Sequence, residues 1–332
     1  MWSGDWGLVS RRPEPSVDEL VTRVTAGDVR SASKLIRLID DGRPEAWAGL
    51  KQLFPYTGAA LVVGITGPPG AGKSTLTDCL IQLARQADKT VGVLAVDPSS
   101  PISGGALLGD RIRMSRFALD DGVFVRSLAS RGHFGGITPA TRGAIRVMDA
   151  MGKEIVLVET VGVGQDEVDI ARLAHTTIVV AVPGLGDEVQ AMKAGIMEVG
   201  DVFVVNKADH PDTDKTVAYL ENIFRHHVEG EWTPPVLEAQ ALHHKGIVEI
   251  WETIERHRDH RNGAGPSYMA EQRANCLREL RAFLHEGVQQ ELSLRLEAES
   301  GIEAAVEEIV AGTADIYATT DHILGQLGLS LG

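Results

Sequence analysis

The stretch Gly67-Pro68-Pro69-Gly70-Ala71-Gly72-Lys73-Ser74 matches the phosphate-binding pattern G-x-x-x-x-G-K-[ST]. Its glycines let a phosphate approach consecutive backbone N–H groups, because a Cβ atom there would block the approach or forbid the backbone angles. The apolar run 61–65 before it is typical of a buried strand, and residues 74–87 after it favour a helix. The positive end of that helix dipole would face the phosphates. The stretch therefore predicts a nucleotide-binding loop between a strand and a helix.

Two side chains of this loop are expected to carry its chemistry. Lys73 would reach the β- and γ-phosphates, and the Ser74 hydroxyl would be a ligand of Mg²⁺. The candidate nucleotide-binding residues in this part of the chain are Gly67, Pro69, Gly70, Ala71, Gly72, Lys73, Ser74 and Thr75.

Seven apolar runs alternate with helical segments in the domain that we assign to residues 59–260. This alternation indicates a mostly parallel sheet that is covered by helices on both faces. Ligands of such α/β folds bind at the carboxyl ends of the strands, and each motif described below directly follows one of the runs. The runs cover residues 61–65, 91–96, 123–128, 155–158, 177–182, 202–205 and 236–237.

Helical patterns flank this domain on both sides. Residues 1–58 are expected to form an N-terminal helical extension that carries no chemistry. In residues 266–332, Leu277, Leu280 and Leu284 recur at helical spacing. Such an apolar stripe could pack on the parent domain, but long helices that leave a complete α/β domain more often form a dimer interface. We therefore expect a C-terminal helical dimerisation arm and a homodimer.

Composition argues against several classes of protein. The net charge of −14 over 332 residues disfavours a broad surface for nucleic acid or anionic membrane. The two cysteines, Cys79 and Cys276, are too few for a disulfide framework or a common zinc site, and each is expected to be a small apolar helix residue. No apolar run has the length of about 18 residues that a membrane span needs, and residues 1–12 do not resemble a secretory signal. We expect a soluble, cytoplasmic protein.

The tetrapeptide Asn206-Lys207-Ala208-Asp209 matches N-K-x-D, the guanine-specificity motif of GTPases. The Asp209 carboxylate would accept hydrogen bonds from the ring N–H and the exocyclic amine of guanine, a donor pair that adenine lacks. Asn206 would stabilise the loops around the base, and the stem of Lys207 would lie over its face. A further base-contacting loop is expected at Gln240, Ala241 and Leu242, where the Ala241 N–H could donate to guanine O6.

Candidate Mg²⁺ ligands follow the second apolar run. Asp97 directly follows that run, and Asp110 lies in the long loop after it. Carboxylates are hard oxygen ligands of the kind that Mg²⁺ prefers. Asp97 could instead form a turn before Pro98, and Asp110 could instead cap a helix.

The segment Glu159-Thr160-Val161-Gly162 occupies the place of the D-x-x-G loop of GTPases, with Glu in place of Asp. Gly162 would offer its N–H to the γ-phosphate, so Lys73, Glu159 and Gly162 are the candidate catalytic residues. Val163 stands where Ras-type GTPases have the glutamine that orients water, and Gln165 lies two residues further on. We therefore expect slow intrinsic hydrolysis that depends on a partner or a conformational change.

Other loops at strand ends are candidates for contact with a partner. The glycine-rich loop 130–138 contains Arg131 and His133 and is either a loop that responds to nucleotide or partner, or an ordinary entry to the next helix. Residues 183–188 are a second candidate mobile element. The pair His243-His244 is expected to be solvated surface, because adjacent side chains chelate a metal poorly.

These motifs together resemble the MeaB/ArgK family, the SIMIBI-class P-loop GTPases associated with methylmalonyl-CoA mutase. The resemblance covers about residues 60–250 and the helical flanks. It rests on G-P-P-G-A-G-K-S at 67–74, V-D-P-S-S at 96–100, G-D-R-I-R-M at 109–114, R-G-H-F-G-G at 131–136, E-T-V-G-V-G-Q at 159–165 and N-K-A-D at 206–209.

The resemblance implies a GTP-hydrolysing chaperone of a B12-dependent acyl-CoA mutase, which gates adenosylcobalamin loading and protects or reactivates the mutase. It implies a homodimer through the C-terminal arm and an additional switch at about residues 183–193, which include Asp187 and Lys193. No B12-binding motif D-x-H-x-x-G is present, so the chain is expected to act on the mutase rather than carry cobalamin. The Mg²⁺-site residues that the resemblance implies are Ser74, Asp97, Asp110 and Glu159.

Two other functions share this architecture. A metal-delivery GTPase would be expected to show a cluster of Cys and His near the switch loops, whereas Cys79 and Cys276 are isolated in the sequence. A kinase would use the same nucleotide site, but N-K-x-D favours guanine, and no motif marks a pocket for a phosphate acceptor.

Overall fold

The computed structural model describes residues 15–97, 117, 119–129, 138–160, 166–184, 197–224, 232–263, 265–298, 301–326 and 328. The chain divides into two compact units, residues 1–268 and 269–332, and each is described by itself. Among the helices in these ranges, none is both long and apolar enough to cross a membrane.

The first unit is built on a seven-stranded sheet in which every neighbouring pair of strands is parallel. The strand order is β3-β2-β4-β1-β5-β6-β7, so β1 lies at the centre between β4 and β5. This confirms the predicted α/β fold with a parallel sheet. The strands are β1 Leu61–Thr66, β2 Val91–Asp97, β3 Val123–Ala129, β4 Ile155–Thr160, β5 Thr176–Ala181, β6 Val202–Asn206 and β7 Val236–Ala239.

Helices cover both faces of this sheet. One apolar core joins it to α4 and α8 through residues such as Leu76, Leu80 and Ile250. The core on the other face joins it to the N-terminal helices and α5, with Leu35 and Met148 fully buried. The described helices of this unit are α1 Val17–Thr25, α2 Val29–Asp40, α3 Pro44–Leu53, α4 Lys73–Gln86, α5 Pro139–Ala150, α6 Asp166–Ala171, α7 Thr213–Phe224 and α8 Ile247–Gly263.

The N-terminal helices have local start signals and a specific attachment to the sheet. A reciprocal capping box joins Ser16 and Glu19 at the start of α1, and the Asp28 carboxylate accepts from the Ser31 N–H at the start of α2.

The Asp149 carboxylate at the end of α5 accepts from the N–H groups of residues 58–60, at 2.5, 3.3 and 3.0 Å in chain order. This carboxylate fixes the connection that leads into β1.

The C-terminal part of the chain is helical, as predicted. Helix α9 spans Pro266–Ala298 and begins just before the boundary between the units, and α10 Ile302–Val310 and α11 Ile316–Gln326 follow. The predicted apolar stripe on α9 is exposed: Leu277, Leu280, Leu284 and Val288 are between 49% and 61% accessible. Exposed apolar stripes of this kind are common at interaction surfaces.

Candidate nucleotide-binding site

A cavity of about 510 Å³ opens at the carboxyl ends of the strands. It brings together the last residues of β2, β4 and β6 with segments that follow β1, β6 and β7, which is where parallel α/β folds bind ligands. Its lining consists of Pro69, Gly70, Gly72, Lys73, Ser74, Thr75, Val96, Glu159, Thr160, Asn206, Lys207, Asp209, Gln240, Ala241, Leu242 and His243.

The loop between β1 and α4 has the backbone geometry that its glycines allow. Gly67 and Gly72 have φ values of +134° and +89°, which side chains rarely permit. A Cβ atom on Gly67 would collide with the carbonyl oxygen of Val180, and one on Gly72 with the side-chain amide of Asn206. Helix α4 starts at Lys73, directly after this loop, so its N-terminus borders the cavity.

The Lys73 side chain is buried against the loop that it belongs to. Its ammonium donates to the carbonyl oxygens of Gly67 at 2.8 Å and Pro68 at 3.0 Å, and the residue is only 6% exposed. A buried ammonium beside main-chain N–H groups forms a positive region in which a polyphosphate would be stabilised.

Glu159 at the end of β4 is held by two hydroxyl groups of α4. The Ser74 hydroxyl donates to Glu159 Oε1 at 2.5 Å, and the Thr77 hydroxyl donates to Oε2 at 3.2 Å. Glu159 is 6% exposed, yet both it and Ser74 line the cavity. A hydroxyl and a carboxylate side by side are the hard oxygen donors that Mg²⁺ takes, so these two residues fit the ion.

Asn206 connects the phosphate loop to the loop after β7. Its amide nitrogen donates to the Ala71 carbonyl at 2.8 Å, and its amide oxygen accepts from the Ala241 N–H at 3.1 Å. The Ala241 N–H, which could donate to guanine O6, is thus bonded to Asn206 in this structure. The two loops are thus joined by one buried side chain.

Lys207 and Asp209 of the N-K-x-D segment lie at the cavity with exposed side chains. Lys207 adopts a φ of +58°, and the next residue, Ala208, donates its N–H to the Ala239 carbonyl at 3.0 Å. This turn leaves Lys207 and Asp209 on the cavity wall, where Leu242 is 77% exposed on the loop after β7. The cavity wall here presents the Asp209 carboxylate together with the aliphatic parts of Lys207 and Leu242, which suit contact with a planar ring.

Several candidate residues lie outside the described residues or are described only in part. Of Asp97 the structure describes the main chain at the end of β2, next to Val96 on the cavity wall. Outside the described residues lie Asp110, Arg131, His133, Gly162, Gln165, Asp187 and Lys193.

Other residues line the cavity although the sequence did not assign them to the site. Val96, Thr160 and His243 line the cavity, and the Thr160 hydroxyl donates to the Thr66 hydroxyl at 3.1 Å. Thr77 could have been found, because residues three apart share a helix face and Ser74 was already a candidate. Within the described ranges, no group of three or more His, Cys, Asp or Glu is arranged to hold a metal ion.

Comparison with known proteins places the chain in a family. Residues 32–297 match the model of the family described as methylmalonyl-CoA mutase-associated GTPase MeaB. A Pyrococcus horikoshii protein named as a GTPase is 44% identical over 318 residues, which are 94% of this chain and 98% of that protein. The GTPase ArgK of Escherichia coli is 38% identical over 251 residues, which are 73% of this chain and 76% of that protein.

A solved structure is similar in fold along most of the chain. The crystal structure of a LAO/AO transport system kinase has a TM-score of 0.69 at 25% identity and covers 96% of this chain and 100% of that one. Since the family model matches well over half of the chain and the relatives match along most of it, this chain belongs to the MeaB family of GTPases.

Proposed function

We propose that this protein is a GTP-hydrolysing chaperone of a B12-dependent acyl-CoA mutase of the methylmalonyl-CoA mutase type. In this role it gates adenosylcobalamin loading and protects or reactivates the mutase. One observation carries the proposal: a single cavity joins the phosphate loop to the N-K-x-D residues, in a chain that matches the mutase-associated family. The alternatives are a metal-delivery GTPase and a kinase that uses the same nucleotide site.

In this proposal, one end of the cavity binds the phosphates of GTP and the other end binds its base. The N–H groups of residues 67–75 and the Lys73 ammonium bind the phosphates, which are anionic and need preorganised donors. Asp209 accepts from the guanine edge, and Lys207 and Leu242 cover the ring. Asn206 keeps the phosphate loop and the loop after β7 at a fixed separation through its bonds to Ala71 and Ala241.

The hydrolysis site is proposed at the Ser74 end of the cavity. Ser74 and Glu159 would hold Mg²⁺, with Asp97 and Asp110 as further candidates, and the ion would neutralise charge on the β- and γ-phosphates. Gly162 would donate to the γ-phosphate while water attacks its phosphorus. Because Val163 occupies the usual place of the water-orienting glutamine, basal turnover is expected to be slow.

Contact with the mutase is proposed at the segments that follow β3, β4 and β5 in the sequence. The candidate partner-responsive residues are Arg131, His133, Gln165, Asp187 and Lys193. The exposed apolar stripe of α9 supports a homodimer through the C-terminal arm. The proposal also includes that this protein is cytoplasmic and binds neither nucleic acid nor membrane.

The test is nucleotide-dependent complex formation with a purified B12-dependent mutase. We expect co-elution of the two proteins in size-exclusion chromatography, with a stability that differs between GTP and GDP. We also expect transfer of adenosylcobalamin to the mutase to depend on GTP hydrolysis. Absence of a complex in every nucleotide state would overturn the client assignment. Binding of a transition metal by the chain would then favour metal delivery, and transfer of the γ-phosphate to a substrate would favour a kinase.

A further inference from the structure

The loop after β7 closes on itself beside the cavity. We call residues 240–245 the base loop. The Gln240 N–H donates to the Lys245 carbonyl at 3.1 Å, and the Lys245 N–H donates back to the Gln240 carbonyl at 3.3 Å. Gly246 has a φ of +76° and no space for a Cβ atom, because the Glu238 carbonyl lies against it. The base loop is therefore a small closed unit whose position depends on how it is anchored.

Ala241 is the anchored point of the base loop. Its N–H donates to Asn206, and its carbonyl accepts from the His244 N–H at 3.2 Å and from the Cys79 thiol at 3.3 Å. Ala241 is 2% exposed, so these bonds are shielded from water. Two of the three partners come from outside the base loop, and Cys79 comes from α4, the helix that starts at Lys73.

The Cys79 thiol lies in a chain of donors. Its sulfur lies 3.3 Å from the Ala241 carbonyl oxygen and 3.5 Å from His244 Nδ1. When the imidazole carries its hydrogen on Nδ1, it donates to the sulfur, and the S–H donates to Ala241. Cys79 is 2% exposed. The expectation of a purely apolar helix residue is therefore incomplete, because the side chain also has a polar partner in the nucleotide site.

We infer that Cys79 is a positioning residue for guanine recognition. Its thiol fixes Ala241, and thereby the base loop, relative to the helix of the phosphate loop. The inference rests on the proposed binding of GTP at this cavity. Loss of the donor would loosen the base loop and weaken GTP and GDP alike, because both carry the same base. The rate constant of hydrolysis would not change, because the phosphate chemistry lies at the other end of the cavity.

Three variants separate the hydrogen bond from packing. Cys79→Ala removes the donor and leaves space, Cys79→Val removes the donor but fills the space, and Cys79→Ser keeps a donor. We expect the Kd for GTP and for GDP to rise about three- to tenfold in the Ala and Val variants, because each loses one buried hydrogen bond. The Ser variant should stay within about twofold of the parent protein. Cys276→Ala, at the exposed cysteine of α9, is the matched control.

The measurements are nucleotide titration, competition by ATP, and kcat under saturating GTP. The inference predicts weaker guanine binding and a smaller preference over ATP in the Ala and Val variants, rescue by Ser, and constant kcat. A Val variant that binds like the parent protein, or equal losses in Ser and Ala, would overturn it in favour of packing. If the Ala variant fails to fold, the Kd values of the Val and Ser variants still distinguish loss of the hydrogen bond from loss of packing. A parent protein that binds no GTP would overturn the proposed function itself, whereas tight binding that is indifferent to all three variants would overturn only this inference.

Discussion

The Ser74 hydroxyl donates to the Glu159 carboxylate at 2.5 Å and so joins the first turn of α4 to the end of β4. The same two oxygen groups are the ones proposed to hold Mg²⁺. Ser74→Ala should therefore lower GTP affinity by about tenfold or more when Mg²⁺ is present. Mutations that disturb the groups around a bound metal typically reduce metal affinity or activity by about 10- to 100-fold. In EDTA the same variant should bind GTP like the parent protein.

Nucleotide titration with and without Mg²⁺ measures this difference. Ser33→Ala on α2, away from the cavity, is the control for the loss of a serine hydroxyl. An equal loss of affinity in both conditions would mean that Ser74 acts on the nucleotide without the metal.

Lys73→Ala should abolish tight GTP binding. The Lys73 ammonium is buried beside the Gly67 and Pro68 carbonyls, so its removal takes a buried cation away from the phosphate loop. Truncation of one partner in a buried charge pair costs about 2–5 kcal/mol. Isothermal titration calorimetry checks the loss, with the exposed lysine variant Lys51→Ala as the control. Unchanged affinity in Lys73→Ala would count against the assigned phosphate site.

Asp209→Asn should weaken the preference for guanine. The carboxylate is expected to accept two hydrogen bonds from guanine. In the Asn variant, an NH2 donor replaces one of the two acceptor oxygens, so one of these hydrogen bonds is lost. The variant should gain affinity for XTP, whose ring has a carbonyl oxygen at that edge, and lose affinity for GTP by roughly 100-fold or more. Competition of labelled GTP by GTP, ATP and XTP measures all three. A parallel loss for every nucleotide would indicate a folding defect rather than a change in specificity.

Stability should fall at acidic pH partly through His175. Its Nδ1 accepts from the Val62 N–H at 3.0 Å, which requires a neutral nitrogen. Burial, assisted by the positive charge of Arg261, lowers the pKa of His175 from 6.5 to about 4. Because the unfolded chain then takes up the proton first, stability that is present above pH 6.5 is lost as the pH falls towards 4. The slope for one such group is up to about 1.4 kcal/mol per pH unit.

Urea unfolding between pH 7.5 and 5 checks this contribution. His175→Asn keeps an acceptor at the same place but does not titrate, so its stability should fall less steeply than that of the parent protein. Parallel pH profiles for the two proteins would show that other groups cause the loss.

The sequence predicted the parts of this molecule that local patterns encode. The phosphate loop depends on glycines such as Gly67 and Gly72, whose backbone angles are a property of the residue itself. The apolar runs gave the order of strands along the chain. The N-K-x-D motif placed Asn206 and Asp209 after β6, and both line the cavity.

The contacts between distant segments could not be predicted from the sequence. Cys79 and Ala241 are 162 residues apart, and the Asn206 amide meets a carbonyl 135 residues away. Such bonds follow from strand order and helix packing, which bring the ends of β1, β6 and β7 to one edge. The bond between the Ala241 N–H and the Asn206 side chain is of this kind, and no local pattern indicated it.

Measuring GTP hydrolysis by the purified protein, with and without a B12-dependent acyl-CoA mutase, shows whether this protein serves a mutase. We expect a slow basal rate that rises strongly with the mutase and is lost in Lys73→Ala. A rate that is indifferent to the mutase, while GTP still binds, would contradict the chaperone function and leave a GTPase with a different client.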